Sequence, residues 1–232
     1  MTTTLAEIAD RAQLTLNDAA AGTWPQATVE AWVVEAIRDY TQSFPRTVKS
    51  TITVGAAPVG HEFDLSADYI SMILVEYPGD EDPPTYLKRR HRTHPQFYGY
   101  EGYYDVEPSG DMTNVGSLFL SEEPTTGEKI YWTAKCHHDT TLVSGDDITV
   151  PEHHEGLLLL FVLWQAFKER LATEEQDPDT TLAGHVTLLQ NLVKGATQAE
   201  KEYKGALERA KANVAEGGPT GQWTVDDHDR IY

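Results

Sequence analysis

The chain has 232 residues, with 18 Lys and Arg against 37 Asp and Glu, a formal net charge of −19. That balance weighs against a protein built to grip nucleic acid, because such binding neutralises phosphates with clustered cations. An apolar fraction of 40% is enough for a folded core, and the single cysteine, Cys136, excludes an intrachain disulfide and a cysteine-rich zinc module. The N-terminal residues lack a positively charged start and an apolar run, and the longest continuous apolar stretch, 157–164, is far below the ~20 residues of a bilayer span. The expectation is a protein made in the cytoplasm, with neither a signal peptide nor a membrane span.

Thr4 followed by Glu7 is a capping-box pattern, and Leu5, Ile8, Ala9 and Ala12 recur at helical spacing behind it. A second helix is predicted over 28–44, where Val29, Trp32, Val33, Ala36, Ile37 and Tyr40 share a stripe and Pro45 ends it. From Arg46 the period becomes two: Val48, Ser50, Ile52 and Val54 alternate with Thr47, Lys49, Thr51 and Thr53, a strand rich in β-branched residues. Further strands are predicted at 61–65, at 69–77 as a buried strand, and at 86–90. The segments 117–120 and 129–136 read as a hairpin joined through 122–127, where proline and glycine supply the turn.

The polar segment 137–149 reads as loop. Pro151 then heads a helix with Glu152 and Glu155 in its first turns, which suits the positive end of the helix dipole. Residues 157–164 are apolar all round, so this helix is predicted to be buried on most sides. A last helix, 182–215, carries Leu189, Val193, Ala196, Tyr203, Leu207 and Ala210 at steps of three and four, one side of a two-helix hairpin. Gly217, Gly218, Pro219 and Gly221 release the chain into a polar tail ending in Ile231 and Tyr232, with Trp223 within it. The predicted class is α+β: helices within 4–44 and 151–215 and an antiparallel β region inserted over 46–136 form one domain, 1–215, followed by a flexible tail, 216–232.

Candidate chemistry is sparse. Nine histidines, among them His91, His94, His137, His138, His153 and His154, invite a metal site. Adjacent histidines, however, point to opposite faces of a strand or lie about 100° apart on a helix, so neither doublet chelates by itself. Cys136 with His137 and Asp139 would suit a hydrolase nucleophile, against the plainer reading of a core cysteine ending a strand. No phosphate loop, metalloprotease helix or nucleophile elbow accompanies them, so no catalytic residue, metal or cofactor is expected. Lys88, Arg89, Arg90 and Arg92 crowd four cations into five residues, either a solvated strand end or a contact patch for an acidic partner. Tyr98, Tyr100, Tyr103 and Tyr104 offer either a stacking surface or aromatics folded back on the sheet.

The order of elements resembles the head-to-tail adaptor (connector) proteins of tailed bacteriophages. The resemblance runs over 5–192. Leu16, Asn17, Asp18 and Trp24 carry it ahead of the second helix, which ends in Tyr40 and Pro45. So do Phe63, Asp64 and Leu65, followed by Asp68, Tyr69 and Ile70 and a strand ending in Val75 and Glu76. A third block is Gly127, Glu128, Lys129, Ile130, Tyr131 and Trp132, leading through an acidic loop to Val150, Pro151 and the apolar helix. The resemblance implies a non-enzymatic virion protein of the neck: a ring, usually of twelve copies, below the portal protein, joined to tail or tail-completion proteins. DNA would pass through the ring's channel without specific binding. On this reading Lys88, Arg89, Arg90 and Arg92 and the tail residues Trp223, Ile231 and Tyr232 are the partner-binding groups, the tail ordering on the portal. The competing class is a small β-type module that recognises a glycan or peptide through its tyrosine-rich loop.

Overall fold

The computed structural model describes residues 3–18, 20–55, 60–65, 69–107, 116–175 and 183–215. The chain divides into two compact units, Met1–Ser43 with Thr140–Tyr232, and Phe44–Asp139. The tail residues Trp223, Ile231 and Tyr232 and the predicted tail 216–232 lie outside the described residues, as does Asp68.

The first unit holds α1 (Leu5–Thr15), α2 (Gln26–Ser43), α3 (Glu155–Glu175, entered through a 3₁₀ turn at Glu152–His154) and α4 (Ala183–Ala215). The capping box forms as read: Glu7 N–H donates to Thr4 Oγ1 at 3.3 Å and Thr4 N–H to the Glu7 carboxylate at 2.9 Å, satisfying donors the first turn leaves open. Asp18 organises the loop before α2. Its carboxylate accepts from the N–H groups of Trp24 at 2.7 Å, Thr23 at 3.0 Å and Gly22 at 3.0 Å, and these bonds, Trp24 first, hold its pKa below the ordinary range. Trp24 is thereby set edge-on against Trp32 of α2, with ring centroids 5.3 Å apart.

Helix α3 lies at the centre of this unit, packed on α1, α2 and α4. Leu157, Leu158, Phe161, Val162 and Ala166 are buried, whereas Leu159, Leu160, Leu163 and Trp164 are only half-buried. The helix that composition alone makes uniformly apolar is therefore covered by three neighbours and left partly open on the remaining side. At its head, Arg11 of α1 pairs with Glu155 at 2.5 Å, and Glu155 is 3% exposed. Tyr40 Oη and His154 Nδ1 share a hydrogen bond of 2.6 Å. Burial, and secondarily His153, lowers the His154 pKa below its ordinary 6.5. The unfolded chain therefore binds this proton more readily than the folded one, so its contribution is intact above pH ~6.5 and is lost as pH falls from there through the folded pKa. In paired urea melts, His154→Asn should reduce the slope of stability against pH below about 6.5; parallel curves would refute the linkage.

Helices α3 and α4 form the predicted hairpin, and their close approach depends on Gly195. A Cβ there would lie 2.8 Å from the ring of Phe167. Gly195→Ala gains about 1 kcal/mol of helix propensity and displaces only a half-buried ring edge, so the two terms nearly cancel. Gly195→Val sets two further methyl groups and a stiff β-branched side chain against the same ring, and it should destabilise by about 1–3 kcal/mol in chemical denaturation.

The second unit is β. Strands β1 (Arg46–Thr53), β7 (Lys129–Cys136) and β3 (Tyr69–Glu76) form one sheet in the order β1-β7-β3. Strands β2 (Glu62–Asp64), β6 (Ser117–Leu120), β5 (Tyr103–Glu107) and β4 (Lys88–Arg89) form another in the order β2-β6-β5-β4. All pairings are antiparallel except the two-residue pairing of β4 with β5. One core serves both sheets: Val75, Ile130, Trp132, Ala134 and Cys136 from the first, and Phe63, Tyr104, Val106, Leu118 and Leu120 from the second.

Three expectations are corrected. The segments 117–120 and 129–136 are not a hairpin, because β6 pairs with β2 and β5 while β7 pairs with β1 and β3. Both strands send alternate apolar residues into the shared core, but from different sheets. Strand β5 falls where the tyrosine-rich stretch read as loop. Strand β3 is only half-buried: register shifts between Tyr69 and Ser71 and between Met72 and Leu74 mark bulges. The extra residues are Ile70, 40% exposed, and Ile73, 50% exposed. A bulged residue leaves the ladder, and on a sheet edge it also discourages pairing with other chains.

Candidate functional site

One edge of the four-stranded sheet is β4, and the cation run begins on it. Lys88 and Arg89 are both exposed. Lys88 N–H donates to Gly102 O at 2.9 Å and Arg90 N–H to Tyr104 O at 2.9 Å, so the run lies along the start of β5. Past the strand the cations turn inward. The Arg90 guanidinium sits 3.9 Å above the Tyr103 ring and donates to Gln96 Oε1 at 3.1 Å. Arg92 pairs with Glu107 and lies 4.3 Å above the ring of Phe119, while its backbone N–H donates to Asp105 at 2.9 Å. Asp105 is itself buried, and its carboxylate also accepts from Val106 N–H at 2.8 Å. Two of the four cations thus tie the segment after β4 to β5 and β6, and two face water.

The tyrosines divide in the same way. Tyr104 is buried, and burial raises its pKa; Tyr103 lies under Arg90; Tyr98 and Tyr100 are 55% and 60% exposed. Tyr98 is held edge-on by His61 and Phe97, at centroid separations of 4.8 and 4.9 Å. Tyr103 and Tyr104 thus fold back on the sheet, while Tyr98 and Tyr100 stay exposed. Nearby, burial raises the Glu122 pKa, and the like charges of Glu101 and Glu128 raise it further. Asp105, Glu107 and Phe119, which position the arginines, carry no local signal in the sequence that would have found them.

Cys136 is buried at the end of β7, as the plainer reading holds. His137 is exposed and its carbonyl accepts from Arg46 Nε at 2.7 Å, whereas His138 is buried and bonds Phe44 O at 2.9 Å, so the doublet splits. Among the described residues, no three of His, Cys, Asp and Glu stand together as a metal site, and no helix is long and apolar enough to cross a membrane.

In the helical unit, the half-buried Leu159, Leu160 and Leu163 of α3 form its apolar opening. Thr15, Leu16, Trp24, Leu163, Phe167 and Arg170 line a shallow groove, and Val193 of α4 is exposed. These features are suited to protein contact, since the centres of interfaces are apolar and aromatic and arginine is enriched there.

The model of the family described as SU10 adaptor protein matches residues 3–216. No curated protein matches the chain.

Proposed function

The chain belongs to the SU10 adaptor protein family, the phage head–tail adaptors, and on that premise we propose that copies of it form the connector ring below the portal. The family supports a structural virion adaptor, and it points to a non-enzymatic role in the neck through portal and tail proteins. The finer reading is a closed ring of about twelve copies whose channel DNA crosses without being held. An acidic lining suits that passage, because a surface with an excess of carboxylates repels phosphates. Lys88, Arg89, Arg90 and Arg92 belong to a contact surface, and Trp223, Ile231 and Tyr232 are anchors for the portal.

The observation that carries this reading is the family match over nearly the whole folded chain, 3–216. Native mass spectrometry of the protein alone and with portal tests it: a ring, free or on portal, is expected. A permanent monomer that ignores portal and retains a glycan would favour the binding-module class instead. The apolar opening of α3 gives a second test. Leu160 is half-buried in the single chain, so Leu160→Asp should cost the free subunit about 1–2 kcal/mol and leave it folded. In an assembled ring the same carboxylate would be desolvated without a partner, at a cost of several kcal/mol. Wild-type incorporation of a folded Leu160→Asp subunit would remove α3 from the interface.

A further inference from the structure

We propose that the contact made by the cation run is divided: Lys88 and Arg89, with Tyr100 beside them, dock on the acidic surface of a second copy of this chain, whereas Arg90 and Arg92 hold the patch in shape. The proposal deepens the ring reading and rests on it. Lys88 and Arg89 are exposed on an edge strand of two residues and make no ion pair among the described residues. Arg90 and Arg92 are occupied by Tyr103, Gln96, Phe119 and Glu107. Because Gly102 O receives the Lys88 N–H, the segment bearing Tyr100, 60% exposed, is brought to the start of β4. Arginine and tyrosine are enriched at interfaces, and a lysine beside them suits the polar rim.

The occupant follows from charge complementarity. Each copy carries 37 acidic against 18 basic residues, so two copies meeting at random repel, and a stable contact must place cations against a neighbour's carboxylates. The same unit also clusters carboxylates: burial raises the Glu122 pKa, Glu101 and Glu128 are near enough to raise it further, and a backbone bond from Gly102 offsets only part of this. Such a surface is relieved by a neighbour's ammonium and guanidinium groups. Charged residues on a short edge strand have another ordinary use, which is to prevent stray strand pairing. The test separates the two.

Assembly is followed by native mass spectrometry and light scattering over a series of protein and salt concentrations, for wild type, Lys88→Ser with Arg89→Ser, and Arg90→Ser with Arg92→Ser. The Lys88/Arg89 variant should keep the wild-type melting transition yet need about tenfold more protein to assemble in low salt. That deficit should shrink as salt rises, since screening removes from wild type the attraction the variant already lacks. Lys88→Arg with Arg89→Lys, which keeps the charges, should assemble normally. The Arg90/Arg92 variant should lose thermal stability first. If wild type never assembles, alone or on portal, the ring reading fails and takes the second-copy occupant with it. If wild type assembles and the Lys88/Arg89 variant matches it at every salt concentration, or differs only by aggregating, the ring stands and the docking assignment fails. Wild-type binding to duplex DNA that the Lys88/Arg89 variant loses would overturn the choice of occupant.

Discussion

Arg11→Met is expected to destabilise the helical unit by about 2–3 kcal/mol, with the loss concentrated where α1 meets α3. The guanidinium stands 2.5 Å from the Glu155 carboxylate, and the two partners differ in exposure: 47% for the Arg11 side chain and 4% for that of Glu155. Removing the cation therefore leaves a buried carboxylate without its ion-pair partner, and that penalty, rather than the lost attraction, sets the size of the effect. A fully buried pair broken from one side costs roughly 3–5 kcal/mol. The lower figure applies here because water reaches Arg11 and can follow a shorter side chain in. Position helps the survivor slightly, since Glu155 opens α3 and the helix dipole favours a negative group there by about 0.3–1 kcal/mol. Glu155→Gln in the Arg11→Met background should recover part of the loss, because an amide is cheaper to bury than a charge. Urea melts of both single variants and the double variant measure this directly. An Arg11→Met variant within about 0.5 kcal/mol of wild type would show that the pair is an exposed one, contributing as little as such pairs usually do.

How far the fold could be read from the sequence depends on whether the signal was local. The capping box of Thr4 and Glu7, the end of α2 before Pro45 and the strict alternation of β1 are each decided within a few residues, and each was legible. Strand pairing is not decided locally. Leu118 and Leu120 alternate inward just as Ile130, Trp132 and Ala134 do, but a period of two gives the buried face and not the partner strand. A short connection with proline and glycine then favours a hairpin that the two-sheet core does not contain. Strand β5 was hidden because Asp105, a charged residue that ordinarily breaks a strand pattern, is buried and satisfied by the Arg92 and Val106 N–H groups. The bulges at Ile70 and Ile73 likewise leave no mark in an apolar run that reads as continuous.

The contact surface was legible as a concentration of charge and opaque as a geometry. Four cations in five residues announce themselves by number, but nothing in their spacing tells which are free. That depends on Tyr103, Glu107 and Phe119, brought to them by strand pairing. The same holds for the apolar helix. Composition makes 157–164 uniformly greasy, while the packing of three neighbours decides that Leu160 is left half-open and Leu158 is not.

Tyr203→Ala should be the most damaging single change in the helical unit, at about 3–5 kcal/mol, the range for removing a large buried aromatic group. Tyr203 is buried on α4 and joins two other helices at once. Its ring lies edge-on to Phe161 at 5.4 Å and stacked on Trp164 at 6.2 Å, both on α3. Its hydroxyl donates to the Asp39 carboxylate on α2. Burial, and then the bond to Asp39, raises the tyrosine pKa far above its usual value, so the group stays a neutral donor throughout the range in which a virion works. Tyr203→Phe separates the two roles. It keeps the ring packing and removes only the hydrogen bond, so it should cost about 1.5–2 kcal/mol, the low end for a bond to a charged acceptor, because Asp39 is only half-buried. Truncation to Ala should cost at least twice as much, because it also opens a cavity between α3 and α4 that two aromatic rings cannot readily fill. Should the Phe and Ala variants melt alike, the hydroxyl rather than the ring would be what holds α4, and the hairpin would depend on its tie to α2 more than on its packing against α3.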